Sequence, residues 1–254
     1  MTIKRIAMRC SALAALGFVV ACSSPGPGGE ISARDPLEST NRVFHDANVA
    51  LDRAVVRPVA QGYDFITPEV IQHIIGNGYQ HLNTVGDFAN YVFQGDVDRA
   101  LVALGRFTVN TVLGAGGLLD PATEFGLPYQ DTDFGVTLGK YGVGEGAYLV
   151  LPLLGPSTTR DAWGGVVDRA LDPRTYVGVF VEGDAVDFGL PASQVLEVVD
   201  ARNRNADLVD EVLYESADSY ISLRSIYLQR RDALIRGDEG GTEQLPDIFD
   251  EETN

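Results

Sequence analysis

The stretch from Val97 to Leu113 limits the fold more than any other part of this sequence. Asp96 is placed to cap it, accepting from the first free amides of a helix. Leu101, Val102, Leu104, Phe107, Val109 and Val112 then cover most of the helical circumference. Only Arg99, Arg106 and Asn110 interrupt them, falling at i, i+7 and i+11 in one narrow polar stripe. A helix that is apolar almost all round lies either centrally in a core or in lipid. Both readings stay open on the sequence, and either one needs other helices around it.

Those helices are legible. Asp35-Pro36-Leu37-Glu38 is a start signal, with a capping Asp, Pro at N1 and an acid in the first turn. The helix is expected to run through Phe44 and Leu51 toward Arg57-Pro58, where a new segment begins. Thr67-Pro68-Glu69 starts another, carrying Ile71, Ile75, Leu82, Val85, Ala89 and Val92 at helical spacing and ending at Gln94-Gly95-Asp96. Gly76, Asn77 and Gly78 predict a kink or a close helix contact. Five glycines between Phe134 and Tyr148 predict a mobile hairpin or loop. Leu149–Leu154 is a short apolar run with Pro152 set against a long element. Thr159 or Asp161 starts a helix to Leu171. Arg174–Val186 is ambiguous between helix and strand, and Ala201–Arg236 is the longest helical stretch, broken near Glu215-Ser216. The fold class is therefore mainly α.

The N-terminus reads as an export signal. Lys4, Arg5 and Arg9 precede an apolar run from Ser11 to Val20 that is too short to span a bilayer. Val19-Val20-Ala21-Cys22 closes it with the lipobox pattern, in which the Cys22 thiol is acylated and becomes the new N-terminus. Residues 1–21 are then the signal peptide and 22–34 the lipidated end and a Ser/Pro/Gly tether. Cys10 leaves with the signal, so the mature chain has no disulfide. Several acyl chains on one Cys meet the requirement of two anchoring signals for stable attachment, and Ser23 after the Cys favours the outer membrane. With its three basic residues gone, the leaderless chain has 16 basic residues against 36 acidic ones, a net charge of −20. That repels nucleic acid and anionic headgroups alike, so charge does not hold the chain to a membrane. Residues 35–236 form one domain, and 237–254, with seven acids and no base, form an acidic disordered tail.

Catalytic motifs are missing. Gly155-Pro156-Ser157 lacks the last Gly of a nucleophile elbow. His45, His73 and His81 form no H-E-x-x-H, and no cysteine is left for zinc. Gly142-x-Gly144-x-Gly146 is followed by Ala147 and does not match the dinucleotide fingerprint. His73 and His81 read as surface or packing residues, and single carboxylates as solvated surface. No enzyme, metal or cofactor is expected.

The chain resembles the MlaA (VacJ) family of outer-membrane lipoproteins. The resemblance runs through Asp35-Pro36-Leu37-Glu38 with Asn41-Arg42, Arg57-Pro58-Val59-Ala60, Asn90-Tyr91 with Gln94-Gly95-Asp96, Arg106-Phe107 with Asn110-Thr111, Leu113-Gly114, Gly116-Gly117 and Asp120. It continues through Phe134-Gly135, Thr137-Leu138-Gly139, Tyr141-Gly142-Val143-Gly144 and Gly146, then Leu151-Pro152, Gly155-Pro156-Ser157-Thr158 and Arg160-Asp161. Tyr220, Arg224, Tyr227, Gln229-Arg230 and Asp232 close it. Tyr176–Asn205 is only weakly similar, and Ala147 stands where the family has Pro.

The resemblance implies a ring of amphipathic helices in the inner leaflet of the outer membrane, around a central amphipathic channel. It implies removal of phospholipid misplaced in the outer leaflet, and its transfer to a soluble periplasmic lipid carrier. It also implies a trimeric porin as neighbour. On that basis Arg99, Arg106 and Asn110 are candidates for a polar headgroup track. Gly142, Gly144 and Gly146 are candidates for the hinge of a gating loop, with a tight surface turn as the alternative. An envelope scaffold that binds porins and moves no lipid is the competing function.

Overall fold

The structure, a computed structural model, describes residues 35–176 and 184–238. The described chain is mainly helical. Helix α1 (Glu38–Leu51) passes through one wide turn of π type (Asp52–Val56) directly into α2 (Arg57–Ile66). Helix α3 (Glu69–Gln94) and α4 (Val97–Val112) form a helical hairpin across Gly95-Asp96. A single turn, α5 (Pro121–Glu124), precedes α6 (Phe134–Lys140). Strands β1 (Tyr148–Leu151) and β2 (Gly155–Thr158) pair antiparallel, with Tyr148 opposite Thr158 and Leu151 opposite Gly155. Then follow α7 (Thr159–Leu171), α8 (Asp184–Arg204), α9 (Ala206–Asp210), a second wide turn (Glu211–Glu215) and α10 (Ser219–Arg236).

Most expected boundaries hold, and three differ for physical reasons. A new segment does begin at Arg57-Pro58, as expected: Pro58 sits in the first turn of α2, where the wide turn leaves no amide for it to supply. Asp35 does not cap α1. It is buried, and accepts instead from Asn41 Nδ2 at 3.0 Å and from the Tyr220 hydroxyl. The segment from Phe134 is not a loop throughout: Asp133 accepts from Val136 N at 2.8 Å and starts α6. Its glycines serve contact, since a Cβ on Gly164 of α7 would stand 2.5 Å from Gly135 N. Finally, the Ala201–Arg236 stretch is three helices, interrupted at Asn205 as well as near Glu215. Helix α3 runs unbroken through Gly76. That glycine is a close contact, with the Arg204 guanidinium lying where its side chain would be.

Contacts close a circuit: α8 packs on α3, α3 on α6, α6 on α10, α10 on the second wide turn, that turn on α9, and α9 back on α8. Small apolar clusters lie between these helices. Ala60, Tyr63 and Val199 form one, Tyr91, Ala100 and Ala103 another, and Tyr148, Val150 and Tyr220 a third. Polar networks join the clusters. Arg231 donates to both Asp133 and Asp161, and Asp161 also accepts from Arg160 and Tyr227. Arg202 bridges Asp52 and Asp210. Buried ions of this kind are tolerated only when paired and hydrogen-bonded, as these are.

Candidate functional site: an inverted surface and a polar cleft

Helix α4 turns its apolar face outwards. Leu101 is 60% exposed and Val112 is 72% exposed, while Arg106 is 3% exposed and Asn110 is buried. The same inversion recurs around the molecule. Phe65 and Ile66 at the end of α2, Val70 and Ile71 at the start of α3, and Trp163 on α7 are all exposed. So are Leu153 and Leu154 at the tip of the β-hairpin. Among the described residues, buried polar side chains outnumber buried apolar ones. A surface carrying this many large apolar side chains suits contact with lipid or another protein. No described helix is long and apolar enough to cross a membrane.

The polar stripe of α4 points inwards and is used. Arg106 donates to Asp120 Oδ2 at 2.9 Å, to Thr123 Oγ1 at 2.9 Å and to the Leu127 carbonyl. Asn110 donates to Asp120 Oδ1 at 2.8 Å and accepts from Ala122 N at 3.0 Å. These bonds, with those from Thr123, hold Asp120 below the ordinary carboxylate range against the opposing effect of burial. Arg99 pairs with Asp96 at 3.1 Å and donates to the Gly237 carbonyl at 2.9 Å. Arg99 and Arg106 also line a small cavity with Asp87, Tyr91 and Tyr129.

The three candidate hinge glycines differ from one another. Gly142 has a φ of +83° and ends α6. Its amide donates to the Gly139 carbonyl at 2.9 Å and Val143 N to the Leu138 carbonyl at 3.0 Å, the paired bonds of a helix C-terminal glycine motif. Gly146 has a φ of +72°, with Thr159 against it. Gly144 has no neighbour within 4 Å of a built Cβ. Cys22 lies outside the described residues, as do the signal, the tether and the chain beyond Asp238.

His81 stacks on Phe107 with ring centroids 4.7 Å apart, and burial lowers its pKa. His73 is exposed beside Glu69. Among the described residues, no group of three or more His, Cys, Asp or Glu comes together to hold a metal ion.

A cleft of about 410 Å³ opens between α3, the segment before α6, and α7. Its walls carry Asn83, Asp87, Asn90, Asp131, Asp168 and Arg169, with Leu82 as apolar surface and the Tyr129 hydroxyl beside Asp87. Asp87 is 4% exposed. It accepts from Thr132 N at 3.0 Å, and burial pushes its pKa up to about 8. Asp168 accepts from Asn90 Nδ2 at 2.9 Å and Phe134 N at 3.0 Å, and burial pushes it up to about 6. Asp87 and Tyr129 also line the small cavity of Arg99 and Arg106, so the two spaces share a wall. Sequence reasoning missed Asp87 and Asp168, treating both as solvated acids. A signal existed for Asp87, an acid placed among Leu82, Val85, Ala89 and Val92 on one helix.

The fold and these spaces define a helical protein that carries many large apolar side chains on its surface and buries paired polar side chains between small apolar clusters. The chain belongs to the MlaA lipoprotein family, whose model matches residues 33–234. It is 34% identical over 246 residues to the intermembrane phospholipid transport system lipoprotein MlaA of Escherichia coli K12, covering 94% of this chain and 93% of that one. The protein of the same name from Haemophilus influenzae is 33% identical over 89% of this chain and 90% of its own length. An uncharacterized protein of Rickettsia felis is 34% identical over 209 residues, 82% of this chain and 80% of its own. A solved structure described as the structural basis for maintenance of bacterial outer membrane lipid asymmetry superposes with a TM-score of 0.65 at 32% identity. It covers 79% of this chain and 98% of that one.

Proposed function

We propose that this protein removes phospholipid from the outer leaflet of a Gram-negative outer membrane and passes it, through a polar route walled by helices, to a soluble periplasmic lipid carrier. The inversion of α4 carries this reading. A helix with leucines outwards and Arg106 and Asn110 inwards suits a body immersed in acyl chains that keeps polar groups for its interior. The circuit of helix contacts supports a ring around a central channel. The relatives' names supply the cargo, phospholipid, and the setting, an intermembrane transport system.

In this reading the chain is held on the periplasmic side of the outer membrane by acyl groups on Cys22. Trimeric porin is its membrane neighbour. The route is polar along the α4 stripe, where Arg99 and Arg106 back the wall shared with the cleft and Asn110 ties α4 to the turn at α5. The Gly142–Gly146 segment gates it, pivoting at Gly144. No covalent step and no cofactor are proposed.

The test is transfer of labelled phospholipid from vesicles holding the full-length protein to a soluble lipid-binding acceptor. Protein-dependent transfer of intact phospholipid is expected. Porin binding without transfer overturns the transport reading in favour of the scaffold, and release of free fatty acid or lysolipid overturns it in favour of a hydrolase.

A further inference from the structure

Five aspartates line the cleft between α3 and α7: Asp87, Asp131, Asp133, Asp168 and Asp172. Three of them already hold a cation. Asp131 pairs with Arg230, Asp133 with Arg231 and Asp172 with Arg174. Asp87 and Asp168 have no ion pair among the described residues. Asp168 is held by neutral donors alone, and the deeply buried Asp87 has only Thr132 N and the neutral Tyr129 hydroxyl beside it, with no partner in good hydrogen-bond geometry at Oδ2. An orphan acceptor of that kind costs free energy until a donor reaches it. At the exposed rim stands Arg169, whose guanidinium forms no ion pair among the described residues.

We infer that the cleft binds the zwitterionic headgroup of an amine-bearing phospholipid, its ammonium group on Asp87 and Asp168 and its phosphate on Arg169. This rests on the phospholipid-transport reading and names the lipid class that the route prefers. An ammonium has only donors, and Asp168 and Asp87 Oδ2 accept from it once it displaces the proton that burial leaves on Asp87. A phosphate needs a donor-rich cation, and Arg169 is unoccupied. A glycerol headgroup brings no positive charge, and leaves the Asp168 carboxylate without a counter-ion and Asp87 with the proton that burial favours. Leu82, exposed at the cleft, gives the first acyl carbons an apolar wall. A metal ion is a poorer occupant, since no three ligating side chains converge among the described residues.

The test uses full-length protein equilibrated with equimolar vesicles of phosphatidylethanolamine and phosphatidylglycerol, re-isolated, and analysed by mass spectrometry for bound lipid. Phosphatidylethanolamine is expected to be enriched about tenfold on the protein, the effect of one hydrogen bond to a charged group. Asp87→Asn with Asp168→Asn should return the bound ratio to that of the vesicles. Arg169→Gln, at an exposed position that the fold does not depend on, should lower retention of both lipids and keep their ratio. Bound phospholipid with no headgroup bias in the wild type overturns this inference and leaves the transport reading standing. So does a bias that survives the double substitution. Protein free of phospholipid overturns both.

Discussion

Arg106 donates to Asp120 across 2.9 Å from a nearly fully buried guanidinium, on the helix whose leucines face outwards. The pair ties α4 to the turn at α5 and fixes which face of α4 is inside. Removing one partner of a buried pair typically costs about 3–5 kcal/mol, because the other charge is left uncompensated. Arg106→Met should therefore lower unfolding stability by about 3 kcal/mol or more. Adding Asp120→Leu should recover part of that loss. A double-mutant cycle read by denaturant unfolding checks the coupling, and additive losses contradict it.

The outward leucines make a separate prediction about solubility. Cys22→Ser removes the proposed acyl anchor and leaves the apolar surface intact. That variant should still partition into detergent micelles or vesicles, measured by flotation. Leu101→Glu in the same background should weaken flotation with no loss of helical content, since Leu101 packs on little within the protein. A variant that stays monodisperse in aqueous buffer without detergent contradicts the inverted surface.

Stability should fall as pH rises. Burial pushes Asp87 up to about 8 and Asp168 up to about 6, so both hold a proton in the folded state at pH values where the unfolded chain has lost it. The stabilisation is fully present below about pH 4 and is lost as pH rises first through 6 and then through 8. Asp131 and Asp133 raise Asp87 further while Thr132 N and the Tyr129 hydroxyl oppose them, and at Asp168 Asn90, Phe134 N and Arg231 oppose Asp133. Each unit is about 1.4 kcal/mol, so the effect reaches several kcal/mol at most. Asp87→Asn should flatten the upper part of the curve. Thermal unfolding from pH 5 to pH 9 checks this, and equal melting temperatures across that range in the wild type contradict it.

The glycine segment separates strain from motion. Gly142→Ala places a side chain at a φ of +83° and should cost about 1–2 kcal/mol. Gly144→Ala meets nothing within 4 Å and should change stability by less than about 0.5 kcal/mol. A hinge at Gly144 requires slower phospholipid transfer in that second variant despite its unchanged stability. Unchanged transfer leaves the segment a static cap.

Helix starts were readable because their signals are local. Asp96 does cap α4, accepting from Arg99 N, and Thr67-Pro68-Glu69 does open α3. The direction of α4 was not readable. The alternation of Leu101 and Arg106 marks two faces and says nothing about which one meets solvent, a choice set by partners such as Asp120 and Leu127. The glycines between Phe134 and Lys140 read as breakers because their use is tertiary, a backbone of α7 lying against Gly135. Asp87 and Asp168 stand far apart in sequence, and only folding brings them to one cleft. Without that juxtaposition each is one acid among many in a strongly acidic chain.

The most direct test of the proposed role is the phospholipid content of the outer leaflet of the outer membrane in cells lacking this protein, compared with cells in which it is restored. The expected result is surplus outer-leaflet phospholipid in the deletion, removed by the wild-type protein and left in place by the Arg106→Met variant. An unaltered outer leaflet in the deletion contradicts transport out of that leaflet.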